Sequence, residues 1–334
     1  MNPIGYGIIG AGFFGEKHLE VLSAMPGVEV LGLSRRSAGP LKEMASKYKV
    51  ANTYTDYHEL LANPKIEAVS ITTHVDDHCQ PAVDALKAGK HVFLEKPMAN
   101  TVKECETILA AAKTARGKLM IGHICRFDTR VSQAREAVQA GKIGKIVSMH
   151  ATRNLPARIG ASVLDKIPAL TGDGIHDTDI MMWLAGKVST VYAQEVRVRK
   201  YKYADVGWAM YRFENGAVGV IETVWCLPDS TPYAIDARME IIGTEGAIYI
   251  DCGNAGLTIN DAQGMSKPDT AYWPELYGKR VGVLRHELAY FMDCVRANKA
   301  PEVITAEESR DAVAVMMAAR KSADSGKVVE LQGC

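Results

Sequence analysis

The stretch Gly10-Ala11-Gly12-Phe13-Phe14-Gly15 constrains the fold more than any other part of the chain. The G-x-G-x-x-G spacing alone means little in a sequence with 29 glycines. Here it follows an apolar β-branched run (residues 4–9) and opens an amphipathic stretch (13–24) closed by Pro26-Gly27, the strand–turn–helix setting that gives the pattern a mechanism. In that setting Gly10 permits the tight turn, Gly12 lets the backbone approach a pyrophosphate, and Gly15 allows close packing of helix on strand. The helix start, with Phe13 and Phe14 in its first turn, then offers unpaired N–H groups and a positive dipole end to phosphates.

The same alternation continues. Strand-like runs at 28–33, 68–72, 91–94 and 119–121 are separated by helical periods at 41–48, 57–61, 76–87 and 102–114. Strands separated by helices of this size imply a parallel sheet covered on both faces, so residues 1–122 read as a doubly wound α/β domain. Beyond residue 123 the texture changes. One helical stretch (177–184) precedes long alternating runs at 188–199, 206–214, 217–226, 235–242 and 247–251, before helix returns at 284–297 and 306–325. Closely connected strands of that kind pair mostly antiparallel, and residues 123–334 read as an α+β domain on a large open sheet.

Charge narrows the function. Lys+Arg and Asp+Glu are both 39, so there is no excess of basic residues to bind nucleic acid or an anionic membrane surface. The seven cysteines are scattered and form no C-x-x-C pair, which argues for reduced thiols and a cytoplasmic protein rather than a disulfide framework or zinc knuckle. The start of the chain has neither a basic segment nor a long apolar run, which argues against secretion.

Two further segments point to chemistry. The end of the second strand normally carries an acid that bonds a ribose hydroxyl. Here it reads Ser34-Arg35-Arg36, and arginine forks with a serine hydroxyl suit a 2′-phosphate, so NADP(H) is expected over NAD(H), with NAD(H) possible. The apolar run 91–94 ends in Glu95-Lys96-Pro97. Ligands of open α/β sheets sit outside the carboxyl ends of strands, which places Glu95 and Lys96 toward the cofactor.

These stretches, with His18, Ala88-Gly89-Lys90-His91-Val92 and Gly174-Ile175-His176-Asp177-Thr178-Asp179, resemble the glucose-fructose oxidoreductase / inositol dehydrogenase / rhizopine catabolism family over nearly the whole length. The resemblance implies a Rossmann domain and a second domain with an open, mostly antiparallel sheet. It also implies assembly through that sheet as a homodimer or homotetramer, and hydride transfer between a nicotinamide and a hydroxyl or keto carbon of a sugar, inositol or sugar derivative. It assigns Lys96 to the reacting hydroxyl and His176 to its proton. It puts Thr72, His74 and His78 on the loop that meets nicotinamide and ribose, and makes a cis peptide at Lys96-Pro97 expected. The family often carries an aspartate four residues before the histidine. Here that residue is Gly172, and Asp173 is the expected substitute. His123, Arg126 and Arg153 are the candidate substrate contacts. His74 and His78, with Asp76 and Asp77 nearby, imitate a metal site, but no metal is expected. Two other functions compete: a non-catalytic NADP-bound sensor or co-regulator, and a nicotinamide-dependent glycoside hydrolase.

Overall fold

The structure, a computed structural model, describes residues 3–252 and 256–331; Cys334 lies outside the described residues. The chain forms two compact units, residues 1–124 with 272–310, and residues 125–271 with 311–334.

The first unit begins β1 (Ile4–Ile9), α1 (Phe13–Ser23), β2 (Val28–Ser34), α2 (Ala38–Tyr48), β3 (Asn52–Tyr54) and α3 (Tyr57–Ala62). It continues β4 (Ala68–Ile71), α4 (Cys79–Lys87), β5 (His91–Glu95), α5 (Val102–Thr114) and β6 (Leu119–Gly122). The strand pairs of its six-stranded sheet are parallel, in the order β3-β2-β1-β4-β5-β6. The strand order reverses between β1 and β4, the switch point where such sheets bind their ligands. The strands are apolar on both faces: Val69, Ile71, Val92, Phe93 and Leu94 are all buried. A capping box starts α5, with the Thr101 hydroxyl accepting from the Glu104 N–H and the Glu104 carboxylate accepting from the Thr101 N–H.

The second unit is built from α6 (Thr129–Gln139), β7 (Ile146–Asn154), α7 (Ala157–Gly160), α8 (Ala169–Gly172) and α9 (Gly174–Ala185). The strands β8 (Val188–Val196), β9 (Val206–Phe213), β10 (Val218–Val224), β11 (Asp236–Gly243) and β12 (Ala247–Asp251) follow, then the small hairpin β13 (Ile259–Asp261) and β14 (Gly264–Ser266). The chain then contributes β15 (Glu275–Leu276), β16 (Lys279–Arg280) and α10 (Val283–Arg296) to the first unit, and ends in α11 (Ala306–Ser325) and β17 (Val329–Glu330). The second sheet has the order β12-β11-β7-β10-β9-β8-β17. Its pairs are antiparallel except β7 with β10, which run parallel because the α7–α9 segment and two strands intervene.

Along β9 the burial alternates: Gly207, Ala209, Tyr211 and Phe213 are covered, while Trp208, Met210 and Arg212 are open. Register extends this across the sheet, so that Tyr192, Met210, Val220, His150, Glu240 and Tyr249 form one cross-strand row. Trp208 stacks beside His150 on the same face, with ring centroids 6.3 Å apart.

The domain boundary read from the sequence puts everything after 122 in one domain, whereas in the structure residues 272–310 belong to the first unit. Packing explains it. Phe291 of α10 meets Phe93 of β5 edge to face at 5.6 Å, and Arg296 donates to the Pro26 carbonyl at 2.8 Å. No helix among the described residues is long and apolar enough to cross a membrane.

Candidate functional site

The loop between β1 and α1 is set by backbone bonds. The Ser34 carbonyl accepts from the N–H groups of Gly10 (2.9 Å) and Ala11 (3.0 Å), tying the loop to the end of β2. Gly10 has φ +93°, and a Cβ there would stand 2.6 Å from the Thr73 nitrogen, so no other residue fits. Gly12 differs. A Cβ on it would meet nothing nearer than the Gly10 carbonyl oxygen at 3.9 Å, so the space in front of it is open. An open cradle at the second glycine, beside a helix start whose Gly12 cap makes no side-chain bond, fits the pyrophosphate of a dinucleotide. Thr72 supports the turn by donating to the Gly10 carbonyl at 2.9 Å. Phe13 is 72% exposed at the loop, whereas Phe14 turns inward against His18 and Trp273.

The expected ribose-end cluster is divided. Arg35 donates to the Ala11 carbonyl at 3.2 Å, which keeps its guanidinium beside the glycine loop. Arg36 is held on the surface by Asp77 at 2.7 Å. Ser34 is buried and contributes chiefly its carbonyl.

Lys96 follows the last residue of β5, on the same carboxyl edge as Gly10, and the Lys96-Pro97 peptide is cis. Glu95 points into the protein, where its carboxylate accepts from the Lys96 N–H at 3.2 Å and meets His18 Nε2 at 3.2 Å. His78 is 1% exposed, with Nδ1 2.8 Å from the Pro97 carbonyl oxygen and Nε2 3.1 Å from that of Thr73. Each ring nitrogen therefore faces a backbone carbonyl, the neutral ring can donate to one of them, and His78 bears on the turns at Pro97 and Thr73. His74, on the same loop, is exposed.

In the second unit His176 lies in the first turn of α9 and is 6% exposed. Its Nε2 is 3.9 Å from Asp173 Oδ1, and its backbone N–H donates to the Asp173 carbonyl at 3.0 Å. At Gly172 a Cβ would lie 3.1 Å from Ile167 and 3.2 Å from the Trp225 ring. A side chain at this position would be tight against both, and either neighbour would have to give by a few tenths of an ångström to admit it.

Arg126 and Arg153, expected among the substrate contacts, are committed elsewhere. Arg126 makes a bidentate pair with Asp179 (2.9 and 2.7 Å) in which both side chains are 1% exposed, and its guanidinium lies 4.9 Å above the Trp183 ring. Arg153 holds Asp177 in the same way at 2.7 and 2.9 Å. Burial pushes the Asp177 carboxyl up, and the Arg153 guanidinium draws it back down. Both acids stand on α9, so these arginines fix the helix that carries His176. His123, at the end of β6, is completely buried.

The sequence reading passes over His18, Ser70 and Tyr6 as contributors to the site. His18 sits on the buried side of α1, and its polar partners come from β4 and β5, which no local pattern announces. The acids of α9 are visible in the H-D-x-D string, but their partners lie 24 and 53 residues away in sequence.

Comparison with known proteins identifies the family. Residues 4–123 match the GFO/IDH/MocA oxidoreductase family model, described as an NAD-binding Rossmann fold, and residues 131–249 match the GFO/IDH/MocA C-terminal domain. The chain is 29% identical to myo-inositol 2-dehydrogenase of Thermotoga maritima, with 98% of each chain covered. It is 30% identical to the uncharacterized oxidoreductase YrbE of Bacillus subtilis over 73% of each. A crystal structure of a probable dehydrogenase from Thermotoga maritima superposes with a TM-score of 0.83 at 27% identity, covering 98% of each chain. With its glycine cradle, its E-K-P turn and the helix of His176, the chain belongs to the GFO/IDH/MocA family of oxidoreductases, enzymes that move a hydride between a nicotinamide cofactor and a sugar or polyol carbon.

Proposed function

We propose that the protein oxidises a secondary hydroxyl of an inositol or related polyol, with the relation to myo-inositol 2-dehydrogenase supporting that substrate class. The observation that carries the reading is the shared carboxyl edge of one sheet: the open cradle at Gly12 leaves β1 and Lys96 leaves β5, flanking the switch point at β4. Gly10, Gly12 and Gly15 hold the dinucleotide backbone, whose nicotinamide supplies the hydride acceptor. The Lys96 ammonium binds the reacting oxygen and stabilises the negative charge that develops there, an effect strongest where water is excluded. His176 takes the hydroxyl proton, and Asp173 beside it steadies the imidazole in the place of the family aspartate.

Arg35 rests on the Ala11 carbonyl, and its guanidinium beside the glycine loop supports the reading that a 2′-phosphate is bound and NADP is used in preference to NAD. The working form is a homodimer or homotetramer that covers the row from Tyr192 to Tyr249, and dispersed thiols suit the cytoplasm.

Cofactor reduction measured with myo-inositol, scyllo-inositol and a sugar panel tests the activity. NADH or NADPH formation with an inositol is the expected result, and turnover confined to non-polyol substrates, or none at all, refutes it. In the same assay Arg35→Asp lowers or reverses the preference for NADP. Equal use of both cofactors by wild type and variant removes the phosphate clamp.

A further inference from the structure

Two buried histidines bracket the E-K-P turn. On one side runs a chain of hydrogen bonds: Tyr6 Oη to Ser70 Oγ at 3.0 Å, Ser70 Oγ to His18 Nδ1 at 3.0 Å, His18 Nε2 to Glu95 Oε1 at 3.2 Å, and Glu95 Oε2 to the Lys96 N–H at 3.2 Å. With one proton on the His18 ring, donor and acceptor inventory gives the chain one direction. The Glu95 carboxylate accepts, so His18 donates from Nε2 and accepts at Nδ1. Ser70 then donates to His18 and accepts from the Tyr6 hydroxyl, whose proton burial holds in place. Gly122 closes the far wall, since a Cβ there would stand 2.9 Å from Glu95 Oε1. On the other side His78 donates from Nδ1 to the Pro97 carbonyl at 2.8 Å, the shorter of its two contacts.

We propose that His18 and His78 are positioning residues for Lys96, fixing the backbone on both sides of it, His18 through the Glu95 carboxylate and His78 through the Pro97 carbonyl. The proposal rests on the reading of Lys96 as the residue that holds the reacting hydroxyl. The physical need is clear. A lysine on a four-carbon stem is a mobile charge, and an anchored backbone on each side removes part of that freedom before substrate arrives. The ring nitrogens of both histidines face oxygens of the protein itself, so their effect on Lys96 is one of geometry.

The test uses the full-length enzyme with myo-inositol and its preferred cofactor, beside wild type and Lys96→Ala. His78→Phe and His18→Leu remove the donors. His78→Asn and His18→Gln return an N–H near the lost Nδ1 and Nε2, respectively. Expected is a fall in kcat of roughly tenfold to a hundredfold in the apolar variants, with the KM for cofactor within about twofold and partial recovery in the amide variants. Unchanged kcat, or amide variants as impaired as the apolar ones, overturns the proposal. Should His18→Leu fail to fold, the His78 pair decides it. Crystal structures of the His78 variants give a reading that does not depend on the substrate. Lys96 Nζ displaced in His78→Phe and restored in His78→Asn supports the positioning role, and Nζ unmoved in both overturns it. A wild type inactive on every polyol counts against the proposed function alone.

Discussion

The two sheets follow opposite rules, and the difference locates the chemistry. The six-stranded sheet is parallel and its central strands are apolar on both faces, so its ligand-facing polar groups gather at the carboxyl ends of the strands, where the cradle and Lys96 lie. The seven-stranded sheet alternates covered and open residues, so one face is packed under α9 and the other shows Trp208, Met210 and Tyr249 to solvent. One sheet gathers its polar groups at an edge, and the other leaves one face open. His176 belongs to neither sheet. It is carried on a helix that two buried ion pairs hold in place.

The largest effects should come from the two residues assigned to the reaction. Lys96→Ala and His176→Ala should each lower kcat by about 10²–10⁴-fold while cofactor affinity, read by fluorescence titration, stays within a few-fold. Wild-type turnover in either variant breaks the link between the parallel edge and the chemistry. Next is the support of α9. Asp179→Ala strands the Arg126 guanidinium in a site where both side chains are 1% exposed, and should cost about 3–5 kcal/mol in urea unfolding. A loss below about 1 kcal/mol would show that the pair is not what holds the helix.

The open face is tested by adding charge to it. Met210→Glu with Tyr192→Lys should shift the protein to monomers in light scattering and leave its circular dichroism unchanged. A monomeric wild type at micromolar concentration removes the need for a covered face. The smallest effect concerns acid. Burial lowers the pKa of His78, and burial with the nearby Lys118 lowers that of His91. Above the unfolded value of about 6.5 neither state is charged and full stability is present. As pH falls through that value the unfolded histidines take protons that the folded ones resist, so stability declines. The decline should appear as a lower Tm between pH 7 and pH 5, and it should be smaller in His91→Asn. A flat Tm over that range contradicts it.

How far the sequence could be read differed between the two units for a physical reason. In residues 1–122 each strand is followed by its own helix, so hydrophobic period and glycine placement report local structure that the sheet merely assembles. The glycine loop, the E-K-P turn and the parallel, doubly wound sheet could therefore be anticipated. The short β3 and the helix α6 carry little apolar signal and were not visible. In the second unit the alternating runs were legible, but the parallel pairing of β7 with β10 joins segments about 70 residues apart and leaves no local trace.

By itself, then, the amino-acid sequence announced the parallel nucleotide-binding sheet, the cradle and the identity of the residues with useful chemistry, because each shows in a hydrophobic period or motif only a few residues long. Tertiary structure decided what those residues are free to do. Arg126, Arg153 and His78 have the right chemistry to touch a ligand, but folding brings Asp179, Asp177 and two backbone carbonyls within hydrogen-bond reach of them. A buried charge or N–H must find a partner, and which partner it finds depends on strands and helices distant in sequence. Tertiary structure likewise crowds position 172 by placing Trp225 and Ile167 against it, and sets Asp173 as the acid beside His176.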